Sequence, residues 1–71
     1  MRRFQLVRDV DPTGISGTGT VAEGAEFDDG TVAMHWSTSA LPSSTAIYGS
    51  IADVEAIHGH GGQTRVEFLD A

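Results

Sequence analysis

Three histidines have the most obvious chemical reach in this chain: His58 and His60, separated by Gly59, and His35 earlier on. Two imidazoles one residue apart can share a zinc, nickel or copper ion, with His35 and Asp53 as further donors. The spacing is a weak metal signature, since a site needs three or four ligands. The same segment also reads as plain architecture. Gly59 would supply a left-handed residue to end a helix, His58 in the last turn would sit well against the helix dipole, and Gly61-Gly62 would swing the chain into a following strand. That second reading needs no metal, and no cofactor is expected.

Four carboxylates, Glu23, Glu26, Asp28 and Asp29, gather around one short segment. Mutual repulsion could raise a pKa among them and prepare an acid for proton transfer, but solvated charges on a turn explain the same cluster. Gly17-Thr18-Gly19-Thr20-Val21-Ala22 spells a dinucleotide fingerprint by letter. It lacks the strand before and the helix after that bring a pyrophosphate to a helix N-terminus. Gly14-Ile15-Ser16-Gly17-Thr18 lacks the second glycine of a nucleophile elbow. No catalytic residue is assigned, and the chain does not read as an enzyme.

Composition narrows the partners. The chain has 71 residues, ten carboxylates against four arginines, no lysine, and a net charge of −6. So acidic a surface repels phosphate, which disfavours direct binding to nucleic acid or to an anionic membrane. The remaining partner is another protein, a basic one fitting best, and self-association into a homodimer is compatible with the same composition. The chain contains no cysteine, so nothing indicates an oxidising compartment. It also has no apolar run long enough for a membrane helix and no apolar signal-peptide centre, and a cytoplasmic location is expected.

These residues must be positioned by a small β domain. Arg3 to Arg8 alternates, with Phe4 and Leu6 on one face, as a first strand. Asp11-Pro12-Thr13-Gly14 has the chemistry of a type I turn, and the glycine-rich stretch after it leads into a second strand over Thr20 to Phe27, with Val21, Ala25 and Phe27 on one face. Asp28-Asp29-Gly30 then links two alternating runs as a tight hairpin. The third strand, Thr31 to Trp36, sends Val32, Met34 and Trp36 inward and leaves Ala33 and His35 outside. Ser37 to Ser44 is a loop in which Leu41-Pro42 packs back over an end of the sheet, and Thr45 to Tyr48 makes a fourth strand.

At Ser50 the periodicity changes. Ser50 caps a helix with Asp53 three residues on, and Ile51, Val54 and Ile57 form its docking stripe. Thr64 to Leu69 is the fifth strand, with Val66 and Phe68 inward. The expected fold is mainly β: one domain over residues 1–71, a five-stranded SH3-like barrel with a short helix between strands four and five. An OB-fold ranks second, because its helix usually lies between strands three and four, and an open sheet with the helix on one face ranks third.

Ile47 and Tyr48 point to opposite faces of strand four, so one of them is available for an interface. Together with Leu41, Glu23, Glu26, Asp28 and Asp29 they are the candidate interaction residues. Polyproline recognition is not expected, since no aromatic residue lies in the first loop and there is no tryptophan pair. The segments Ser16-Gly17-Thr18-Gly19, Ala22-Glu23-Gly24, Asp29 to Ala33, Trp36 and Val54 to Arg65 resemble short uncharacterised proteins of high-GC bacteria and their phages, over nearly the whole chain. That resemblance implies a self-contained accessory protein of phage type and carries over no site. The functional expectation is a non-enzymatic protein-binding module. An acidic inhibitor that imitates nucleic acid before a basic protein, and a virion component, are the alternatives.

Overall fold

The computed structural model describes residues 1–9, 18–37 and 43–70. The expected turn at 11–14 and the packing of Leu41-Pro42 lie outside the described residues. In order come β1 (Arg2–Arg8), β2 (Gly19–Glu26), β3 (Val32–Trp36), β4 (Thr45–Tyr48), α1 (Ile51–His58) and β5 (Thr64–Phe68), with a single 3-10 turn at His60–Gly62 between α1 and β5.

The strands form one antiparallel sheet in the order β4-β3-β2-β1-β5. It is open. A barrel would require β4 to pair with β5, whereas they are the two margins of the sheet, and the expected SH3-like closure is not seen. α1 lies on the connection between β4 and β5 and packs against both. A helix is about 10 Å across with its side chains, so one seated between the margins fills the space that five strands closing on themselves would fill with side chains alone.

Alternation explains the layers. Phe4 and Leu6 of β1, Ala22 of β2, and Val32 and Met34 of β3 point to one face and are buried there with Val21 and with Val54 of α1. Trp36, Tyr48, Ile51, Val66 and Phe68 pack around this core, each half-buried. The Phe68 ring meets Phe4 edge to face at 6.2 Å and carries the Arg2 guanidinium 3.9 Å above its centroid.

β2 departs from strict alternation. Leu6 pairs with Ala22 but Val7 pairs with Thr20, which leaves Val21 as an extra residue and lets Val21 and Ala22 both be buried. Beyond this bulge the parity is reversed. Ala25 therefore lies on the face opposite Val21, and Phe27, past the strand end, is 40% exposed, contrary to the single face expected for Val21, Ala25 and Phe27. Gly24 is held glycine by close approach: a Cβ there would collide with the Ala33 carbonyl and stand 2.7 Å from the Phe4 ring, which covers Gly24 from β1.

The hairpin forms at the Asp-Asp-Gly link. Gly30 N–H donates to the Phe27 carbonyl (2.9 Å), Gly30 takes φ 92°, and Asp29 accepts from the Thr31 N–H at 2.9 Å and from its hydroxyl at 2.6 Å. This is the three-residue loop in which a type I turn ends on a left-handed glycine. The hydrogen bonds from Thr31 hold the Asp29 carboxyl below its ordinary range.

α1 starts as expected, with the Ser50 hydroxyl oxygen accepting from Asp53 N–H at 3.2 Å. Its end differs. Gly59 stays right-handed at φ −69°, and Gly61 and Gly62 take the positive φ values of 67° and 97° that turn the chain into β5. The docking stripe differs too. Ile57 is 59% exposed, and the helix instead offers Ile51, Val54 and His58, at spacings of three and then four residues.

Candidate functional site

The seven-residue helical step from Ile51 to His58 brings an imidazole to the margin of the core. His58 Nε2 lies 2.8 Å from the Tyr48 hydroxyl, and the Trp36 ring stands edge to face against the imidazole at 4.9 Å. Tyr48 makes a second edge contact at 5.7 Å. Depending on the tautomer, the phenol donates to a bare Nε2 or accepts from Nε2–H. Burial pushes the Tyr48 hydroxyl above its ordinary pKa, so the phenol stays neutral. The cluster ties β3, β4 and α1 together at one corner. Tyr48 and His58, singled out in the sequence for interaction and for metal, face each other there.

The histidines are separated. His35 is on the opposite face of the sheet from Tyr48 and His58, with its Nδ1 2.8 Å from the Thr45 hydroxyl, and the side chain of His60 lies outside the described residues. Among the described residues no group of three or more His, Asp or Glu side chains is placed to hold a metal ion.

The second region is the outer face. Cross-strand register lines up Arg3, Ala25, Ala33 and Ile47 in one row and Gln5, Glu23, His35 and Thr45 in the next. Ala25 and Ala33 floor a shallow groove walled by Arg3 and Leu69 on one side and by His35 and Thr45 on the other, with Glu23 at its end. Ile47 is 71% exposed at the β4 margin. Leu41, the remaining apolar candidate, lies outside the described residues.

The carboxylates expected to crowd the hairpin are dispersed. Glu26 pairs with Arg2 at 2.7 Å, Asp28 binds the N-terminal ammonium, Asp29 is turned onto Thr31, and Glu23 is on the outer face opposite His35. Elsewhere Arg3 holds Asp70 through two side-chain contacts at 2.9 and 3.1 Å, and Arg65 holds Asp9 at 2.6 Å. Hydrogen bonds from the Arg3 side chain and backbone draw the Asp70 carboxyl down to about 2. Glu23, Asp29, Asp53 and Glu55 have no cationic partner among the described residues.

Arg8 was not anticipated as a core residue. It continues the inward parity of Phe4 and Leu6, is only 4% exposed, and donates from Nε to the buried Thr64 hydroxyl at 3.0 Å. The parity of β1 was the available signal, and it outweighed the charge.

A family model described as Acb5 phage protein matches residues 1–70 of this chain. The chain belongs to the Acb5 phage protein family. No curated protein and no solved structure matches it. For this Acb5-family chain the phage character suggested by the sequence therefore stands, and no helix among its described residues is long and apolar enough to cross a membrane.

Proposed function

We propose that this phage protein is a non-enzymatic accessory module that docks on a partner protein through the outer face of its sheet. The observation that carries the reading is the face itself. No described element covers the groove over Ala25 and Ala33, although the opposite face of the same strands is filled by α1 and by half-buried aromatics. Small side chains on a sheet floor let a partner approach the backbone closely, and mixed walls of Leu69, Arg3, His35 and Glu23 suit the rim of a protein interface.

A basic partner surface fits the charge. Arg2, Arg3, Arg65 and the N-terminus are engaged by this chain's own carboxylates and Arg8 is buried, so the unbalanced charge is negative. The four carboxylates without a cation among the described residues are spread over β2, the hairpin and α1. That scatter suits complementarity to a protein surface better than imitation of evenly spaced phosphates.

The test is cross-linking and affinity capture in phage-infected cells with the chain and with Ala33→Arg and Ala25→Glu. The expected result is a specific partner whose binding weakens as salt rises and is lost in both variants, while the melting temperature is unchanged. A partner captured equally by both variants would place the interface elsewhere, and detection of the chain in purified particles would favour a virion component.

A further inference from the structure

We infer that β4 is an interface for a second copy of this chain, the two β4 strands pairing antiparallel about a two-fold axis at Ala46. The hydrogen-bond pattern sets which groups face outward. Trp36 N–H donates to the Ser44 carbonyl at 2.9 Å, so 36 and 44 are a hydrogen-bonded pair. Alternation then makes Met34 with Ala46, and Val32 with Tyr48, the next such pairs. The N–H and C=O groups of Thr45 and Ile47 therefore point away from β3, and no described residue pairs with them.

The two margins of the sheet are built differently. β5 carries Arg65 and Glu67, the kind of charged side chain that protects an edge from pairing. β4 and its flanks, Ser43 to Ser50, contain no charged residue, and Thr45–Tyr48 has no proline.

Charge selects the occupant. A basic or acidic segment would find no counter-charge on this edge, whereas two chains of net charge −6 can approach each other only along an uncharged border. The edge is also self-complementary, as a two-fold interface requires. With the axis at Ala46, Thr45 lies opposite the partner's Ile47 in a hydrogen-bonded pair, and Ile47 opposite the partner's Thr45, which satisfies every outward group of these residues. The exposed Ile47 side chain then sits between Ala33 and the partner's Thr45, diagonal to the partner's Ile47 and about 7 to 8 Å from it. One short strand buries less than the about 1,200 Å² typical of stable complexes, so the association is weak, with a Kd on the order of 100 µM. Ala33 is the β3 neighbour of Ile47, whereas Ala25 lies on β2, two strands from the seam, so Ala25→Glu is the variant that separates this pairing from the outer-face reading.

Sedimentation velocity from about 10 µM to about 1 mM, a range set to bracket that Kd, is expected to show a monomer passing to a dimer. Ile47→Lys, which brings two like charges together across the axis, is expected to weaken the dimer at least about tenfold with an unchanged far-UV circular dichroism spectrum. Because the chain has no cysteine, Ala46→Cys gives an independent readout. In this register the two Ala46 Cα atoms form a non-hydrogen-bonded pair about 4.5 Å apart, within disulfide reach, so mild oxidation should yield a covalent dimer that Glu23→Cys does not. A monomer at every concentration, or a dimer indifferent to Ile47→Lys and refractory to cross-linking through Ala46→Cys, overturns the proposal. If Ile47→Lys does not fold, the cross-linking pair decides.

Discussion

The two faces of this sheet are made by alternate residues of the same strands and have opposite fates. Inward, Phe4, Leu6, Val32 and Met34 are buried beneath a helix and a ring of half-buried aromatics. Outward, Arg3, Ala33 and His35, one residue away from them in sequence, meet solvent or a shallow groove. Which neighbour can be changed without unfolding the chain therefore follows from parity.

Mutations should separate the faces sharply. Phe4→Ala, which empties the centre of the inner layer and uncovers Gly24, is expected to cost about 3 to 5 kcal/mol. A small core rarely supplies more than that in total, so urea titration should find the variant largely unfolded. Gly24→Ala adds a methyl group against the Phe4 ring and the Ala33 carbonyl. It is expected to cost about 1 to 3 kcal/mol, and Phe4→Leu in the same chain should recover part of the loss if the ring is the obstacle.

Tyr48→Phe removes the hydroxyl that meets His58. It is expected to cost about 0.5 to 1.5 kcal/mol, and the sharpest check is movement of the His58 ring resonances in NMR spectra of the variant. Smallest of all is the outer Arg3–Asp70 pair. Asp70 titrates near about 2, below its ordinary value of 3.8, so its contribution is present above the ordinary value and lost as pH falls through about 2. The pair is exposed and screened by salt. Asp70→Asn should therefore lower the melting temperature only slightly at neutral pH, and the difference from the parent should vanish at the acid end.

Much of this division was legible in the sequence. The five strands, the Asp-Asp-Gly hairpin and the Ser50 cap are local signals, written in period-2 alternation and turn chemistry, and each stands where it was expected. Three features were not legible, for distinct reasons. The bulge at Val21 breaks parity without any residue that marks it, since valine suits either position. The helical stripe includes His58 in place of Ile57 because contact is set by the 3.6-residue period, and a polar side chain with a hydrogen-bond partner can occupy a docking position. Sheet closure depends on whether β4 and β5 meet, which no single stretch of sequence encodes. For the candidate site, Ile47 and Glu23 are exposed, but Tyr48 turns inward to His58, and the carboxylates are distributed by arginines from distant strands.

The order of the sheet has a consequence for how the chain acquires its shape. β1 lies between β2 and β5, and Arg3 is joined to Asp70 across 67 positions of sequence. β1 therefore waits for β5 before both its borders are paired. Folding must bring together residues 67 positions apart, a non-local closure of the kind that slows folding. Truncation at the C-terminus should accordingly leave a collapsed, aggregation-prone remnant, with no native subdomain surviving.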